Sequence, residues 1–179
     1  MLAPLTDGDG EMRQAVRAAC ALAAFASSTP AFTQTATLLE KTKDWSAYAA
    51  TGSSKVCFAM SQPKAMSPKT AKRGPVYFYI SSWPGDKVAD EVSVKMGYPF
   101  KPGATATLTL GAEKFDLFTK EEGAFVEKPD MESKLVETMK KGGKMKIEGK
   151  SAKGTATSDN YSLDGFAEAL DRMTKECGG

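Results

Sequence analysis

Residues 104–118, ATATLTLGAEKFDLF, alternate apolar and polar side chains on both sides of a turn that contains Gly111. In the first run Ala106, Leu108 and Leu110 lie on one side and threonines lie on the other. Alternation with a period of two is typical of a strand that buries one face. The stretch therefore predicts two short β-strands separated by a turn.

Similar runs occur along the chain, and glycine- or proline-containing segments separate them. The runs that favour strands are residues 55–61, 76–80, 92–96, 144–150 and 154–161. Short strands at a spacing of 8–12 residues predict a β-sandwich or barrel. The chain is therefore expected to be mainly β.

Two segments have helical spacing instead. A short helix is predicted near residues 130–141, capped by Asp130 and ended by two glycines. A C-terminal helix is predicted near residues 163–175, capped by Ser162, because its apolar residues recur every three or four positions.

The beginning of the chain has the order of a secretory signal. Residues 12–17 carry two arginines and no acid, residues 18–26 are apolar, and small residues precede Gln34. We therefore expect residues 12–33 to be a signal peptide and residues 1–11 to be a spurious extension. Residues 34–43 are polar and predict a flexible leader, and residues 44–177 are expected to form one domain.

Two cysteines follow the predicted signal peptide, Cys57 and Cys177. An even pair in an exported chain predicts a disulfide that joins the last helix to an early strand. The alternative is two separate buried thiols.

The composition excludes several kinds of chemistry. The chain has no histidine, which excludes Ser-His-Asp catalysis and histidine-ligated zinc. Its 24 basic and 22 acidic residues nearly balance, and only Arg73 and Arg172 are arginines after the predicted signal peptide. Arginine forks dominate nucleic-acid recognition, so that role is disfavoured. No apolar stretch after residue 33 approaches the ~20 residues of a membrane span.

The stretch 73–100, RGPVYFYISSWPGDKVADEVSVKMGYPF, resembles the invasion-associated locus B family of alphaproteobacteria. Segments 114–118, 123–126 and 161–166 match the same family in order, and the resemblance covers about residues 43–177. It implies an exported, immunoglobulin-like β-sandwich with a link to host-cell invasion. It implies no catalytic residue and no cofactor.

Basic and aromatic residues supply the candidate binding surface. Residues 140–153 contain six lysines and one acid, and Lys140, Lys141, Lys144 and Lys146 would meet an acidic glycan or lipid headgroup. The alternative is an edge strand that its lysines protect from self-pairing.

Aromatic residues cluster in the same family-like stretch. Trp83 and Tyr98 lie in turn sequences and are candidates for recognition, because tryptophan and tyrosine are enriched in interface hot spots. Tyr77 and Tyr79 are expected to fill the core instead.

Asp86, Asp90 and Glu91 are close in sequence, but their spacing matches no calcium loop. Asp90 or Glu91 is expected to pair with Arg73. No metal site, cofactor or catalytic residue is predicted from them.

Two functions follow from these features. The first is a non-enzymatic exported domain, periplasmic or at the cell surface, that binds a protein or an envelope component. The alternative is an envelope enzyme or small-ligand carrier that uses carboxylates and lysine.

Overall fold

The structure is a computed structural model that describes residues 35–52 and 54–178. The predicted extension and signal peptide lie outside these residues. The strands of the described part, numbered in chain order, are β1 (Thr35–Thr42), β2 (Trp45–Thr51), β3 (Val56–Ser61), β4 (Ala65–Ser67), β5 (Tyr77–Trp83), β6 (Val88–Lys95), β7 (Thr105–Leu110), β8 (Glu113–Lys120), β9 (Gly123–Phe125), β10 (Lys144–Lys150) and β11 (Ala156–Ser162). The α-helices of this part are α1 (Pro129–Met139) and α2 (Phe166–Cys177).

All the strands belong to one antiparallel sheet with the order β1-β2-β3-β5-β6-β9-β8-β7-β10-β11-β4. The sheet folds over itself, so strands far apart in this order face each other. Trp45 of β2 donates a hydrogen bond from Nε1 to the carbonyl oxygen of Ser162 at 3.0 Å, and the rings of Phe78 in β5 and Tyr161 in β11 are 5.9 Å apart. The predicted mainly β, sandwich-type fold is confirmed, with the two layers formed by halves of one sheet.

The alternating residues of the sequence form the core. Leu108 of β7 and Leu117 of β8 are fully buried. The residue before each of them, Thr107 and Asp116, points outward, and these two pair across the hairpin. Phe118, at the end of the same run, lies on the outer face and is 44% exposed. Alternation thus predicted which side of this hairpin is buried.

Both predicted helices are present, but each begins at a different cap. Pro129 occupies the first turn of α1 and the extended Lys128 precedes it, so Asp130 is not the cap. Proline suits this position because its missing N–H would have no helical acceptor.

Helix α2 begins three residues after the predicted start, at Phe166. Ser162 Oγ accepts a hydrogen bond from the Asp164 N–H at 3.1 Å and so shapes the preceding turn. Gly165 precedes the helix at a φ of 87°, where a Cβ would collide with the carbonyl oxygen of Thr42. Only glycine fits this close approach.

Helix α2 packs on β2 and β3 and is fastened there covalently. The Phe166 ring lies 4.8 Å from Trp45, centroid to centroid, and Leu170 and Met173 are buried in the same core. Cys177, the last residue of the helix, forms a disulfide with Cys57 of β3. Their Cα atoms are 5.9 Å apart, so the predicted pairing is confirmed.

The prediction of a flexible leader was wrong. Residues 35–42 of the predicted flexible leader form β1, which pairs with β2 along the edge of the sheet. The polar segment 62–72 likewise includes β4, which pairs with β11. Backbone hydrogen bonding recruits both polar segments, because an edge strand needs only one partner and does not have to bury an apolar face.

Candidate functional site

A pocket of about 450 Å³ lies between three segments of the domain, residues 71–74, 97–99 and 151–157. We call it the Arg73 pocket. The Gly74 N–H donates to the carbonyl oxygen of Gly97 at 2.7 Å, which holds the first two segments together. Gly97 has a φ of 70°, and a Cβ there would collide with Gly74. The glycine after β6 therefore permits the backbone contact that forms one wall.

Arg73 and Asp159 form a buried ion pair beside this pocket. The Arg73 side chain is 5% exposed and the Asp159 side chain is fully buried on the inner face of β11. Nη2 of the arginine donates to Oδ2 of the carboxylate, and the guanidinium carbon lies 5.5 Å from the centre of the Tyr98 ring. Asp90 and Glu91, the expected partners of Arg73, do not make this contact.

The pair does not use all its hydrogen-bonding atoms. Nε and Nη1 of Arg73, Oδ1 of Asp159 and the Tyr161 hydroxyl are buried without a partner among the described residues. Burial raises the pKa of Asp159, and Arg73 opposes this effect only in part. The site therefore contains one arginine whose charge is balanced but whose donors are largely unused.

Tyr98 lies inside the domain and not on the exposed turn that its sequence context suggested. It is 7% exposed, its hydroxyl is 2.7 Å from Thr157 Oγ1, and its ring packs on Phe100 at 5.2 Å. Burial raises the pKa of the Tyr98 hydroxyl, so the phenol stays neutral. Tyr98 remains a candidate, but as a wall of the Arg73 pocket.

Trp83 ends β5 and is half-buried. It lines a shallow groove together with Phe58 and Tyr79. A short 3-10 turn, Pro84–Asp86, follows it directly. The structure does not bring Trp83 into the Arg73 pocket.

The four candidate lysines lie on two elements. Lys140 and Lys141 follow α1, while Lys144 and Lys146 belong to β10. Two of them, Lys140 and Lys146, are paired with acids. Lys140 Nζ is 2.6 Å from Glu137 Oε1, and this contact raises the pKa of Lys140.

Lys146 Nζ is 2.9 Å from Glu148 Oε2. Strand β10 lies between β7 and β11, so the expectation that these lysines protect an edge strand was wrong. Ion pairing leaves the segment less basic than its composition suggests.

Sequence reasoning missed a row of aromatic side chains on the outer face of the sheet. Tyr77 and Tyr79 were expected in the core, but among residues 77–79 only the intervening Phe78 points inward. We define the outer aromatic row as five residues that cross the sheet: Tyr48, Phe58, Tyr79, Phe125 and Phe118. The signal was present in the alternation, because each member lies next to a buried residue of its own strand.

Ring contacts and strand pairing connect the members of the row from one strand to the next. The Tyr48 and Phe58 rings stack at 5.2 Å with 13° between their planes, and Phe58 meets Tyr79 at 6.0 Å. Tyr79 is opposite Ser93, which is opposite Phe125. The last pair, Phe125 and Phe118, stacks at 5.3 Å.

The carboxylates near β6 have structural contacts. Glu132 Oε1 accepts a hydrogen bond from the Val92 N–H at 3.0 Å and holds α1 against β6. Burial raises the pKa values of Asp90 and Glu132. Within residues 35–52 and 54–178, no group of three His, Cys, Asp or Glu residues is placed to hold a metal ion. In the same residues no helix is long and apolar enough to cross a bilayer.

Comparison with known proteins agrees with the resemblance drawn from residues 73–100. The family model described as "Invasion associated locus B (IalB) protein" matches residues 45–174. No significant match was found among curated proteins or among solved structures. The match covers the sheet from β2 onward and most of α2, and on this evidence the chain belongs to the invasion associated locus B family.

Proposed function

We propose that this chain is an exported, non-enzymatic binding domain that contacts a protein of the envelope or of a host surface. The outer aromatic row is the observation that carries the proposal. Export is supported by the signal-like residues 12–33 and by the Cys57–Cys177 disulfide, since such bridges persist in oxidising compartments. The description of the family adds the link to invasion.

The row has the size and composition of an interface centre. From β2 to β8 it crosses five strand-to-strand steps, a distance of roughly 24 Å at the usual strand spacing. Four of its members are half-buried and Phe118 is exposed. The centres of protein interfaces are enriched in tyrosine and phenylalanine, which supports a protein partner for this surface.

The ring orientation favours a protein over a sugar. Tyr48 and Phe58 cover each other's faces, as do Phe118 and Phe125, whose planes are 26° apart. A sugar ring stacks on an exposed aromatic face, whereas apolar side chains of a protein pack well against ring edges. This ring orientation supports a protein surface as the occupant of the row.

Replacing Tyr48, Phe58 and Phe125 together by threonine should weaken binding to isolated envelope or host membranes at least about 30-fold, the effect of losing one hot spot. Threonine keeps the strand propensity of these positions. The measurement is saturation binding of the labelled, disulfide-bonded protein. Protease treatment of the membranes should abolish the binding.

A matched control replaces Met66 and Val88 by threonine, because both are exposed apolar residues outside the row. This variant should bind within about twofold of the wild-type protein. If reversing the charge of Lys140, Lys141, Lys144 and Lys146 abolishes binding while the row variant binds normally, the partner is an acidic glycan or lipid and the proposal is wrong. A steep loss of affinity as the salt concentration rises would also indicate an acidic glycan or lipid partner.

A further inference from the structure

A shallow groove of about 340 Å³ adjoins the outer aromatic row at Trp83, and we call it the Trp83 groove. It is built around Ser81 of β5, which is in register with Phe58 on β3 and with Glu91 on β6. Tyr79 and Trp83 lie on either side of Ser81 along β5 and line the same groove. A small residue among three aromatic rings and one carboxylate thus leaves a concave place on the face of the sheet.

The walls of the groove are largely apolar and include one free ring. Ala36, Ala50 and Val56 line it together with the aromatic residues. Trp83 is half-buried, and its ring packs against no other aromatic ring among the described residues. Tryptophan is the ring that attracts a cation most strongly, so the groove offers both an apolar wall and a cation-binding ring.

Glu91 gives the groove its charge. Among the described residues it is the only charged one that lines the groove, and no described lysine or arginine forms an ion pair with it. Burial raises the pKa of the Tyr79 hydroxyl, so this phenol stays neutral. The groove therefore attracts a cation and repels an anion.

We propose that the Trp83 groove takes an arginine side chain of the partner protein, with the guanidinium against the Trp83 ring and paired with the Glu91 carboxylate. A planar guanidinium stacks on aromatic rings and matches a carboxylate in hydrogen-bond geometry. Its methylene stem packs on the apolar walls. Arginine is also one of the residues that dominate interface energies, with tryptophan and tyrosine.

This inference rests on the proposed function, because the groove shares Phe58 and Tyr79 with the outer aromatic row. It adds a chemical feature of the partner, a basic side chain at one border of an apolar contact.

The probe is N-acetyl-arginine amide, added to the disulfide-bonded protein in a nuclear magnetic resonance titration. It should saturate, and the largest shift changes should fall on residues 58, 79–83 and 91. N-acetyl-citrulline amide keeps the planar head group without the charge and should bind at least about tenfold more weakly. Tetramethylammonium represents a lipid headgroup and methyl glucoside a glycan, and both should bind more weakly than the arginine probe.

The variant Glu91→Gln should weaken binding of the arginine probe at least about tenfold without unfolding the protein, because glutamine keeps the shape of the side chain. It should weaken binding to the isolated membranes by a similar factor. The matched control Glu168→Gln removes the same charge from an exposed position on α2, which packs on the opposite face of β2 and β3. This control should leave both affinities unchanged.

Four results would overturn the proposal: no saturation by the arginine probe, equal binding of the citrulline probe, tighter binding of tetramethylammonium or methyl glucoside, or equal losses in the two glutamate variants. If the row variant loses membrane binding but the arginine probe does not saturate, the inference about the groove fails alone. Saturation by the arginine probe together with normal membrane binding of the row variant would contradict the proposed function instead.

Discussion

Replacing Cys57 and Cys177 together by alanine should lower the free energy of unfolding by about 4–5 kcal/mol, the chain-entropy value for a loop of this length. The cysteines are 120 residues apart in sequence, so the bridge restricts nearly the whole unfolded domain. It also holds the end of α2 on β3. Urea unfolding of the oxidised wild-type and variant proteins measures the difference.

Dithiothreitol provides the internal control for this prediction. The reductant should destabilise the wild-type protein to about the level of the alanine variant and should leave the variant unchanged. A loss below about 1 kcal/mol in the variant would show that the loop-closure argument does not apply to this fold.

Replacing Arg73 by leucine should destabilise the domain by about 3–5 kcal/mol at neutral pH, because the fully buried Asp159 then has no counter-charge. The double variant Arg73→Leu/Asp159→Leu removes both charges and should recover most of this loss. Urea unfolding of the wild-type protein, the single variants Arg73→Leu and Asp159→Leu, and the double variant forms a complete double-mutant cycle. Equal instability of the Arg73→Leu variant and the double variant would contradict the argument.

The loss in the Arg73→Leu variant should depend on pH. Burial raises the pKa of Asp159 in the wild-type protein and Arg73 opposes this, so removing the arginine raises this pKa further. A carboxyl group whose pKa is raised in the folded state costs nothing while it is protonated in both states, and its cost grows between the unfolded-state and folded-state pKa values. The deficit should therefore be small below the ordinary aspartate pKa, grow as the pH rises above it, and level off above the folded-state pKa of the variant.

Local patterns were sufficient for much of the fold. The alternation in residues 104–118 identified β7 and β8 and their buried side, because a strand places successive side chains on opposite faces. The three-four spacing in residues 163–175 identified α2, although the turn at Gly165 displaced its start. These features depend only on residues that are close in sequence, so the order of residue types is enough to predict them.

The buried face of an aromatic strand was harder to predict from the sequence, since both faces of β5 carry large side chains. Phe78 is buried and Tyr79 is half-buried, yet both residue types are common in cores. Which face turns inward depends on the pairing of β5 with β3 and β6. The outer aromatic row follows from that pairing, because its members come from five separate strands.

The sequence by itself determined the mainly β class, the disulfide pair and the family, because each depends on local periodicity, on cysteine count or on contiguous motifs. Only the tertiary structure decided where Tyr98 lies and that Arg73 pairs with Asp159 across 86 positions. It also turned the polar residues 35–42 into an edge strand. Such contacts join segments that are distant in sequence, and their energies depend on burial and charge that exist only after the sheet has folded over its core.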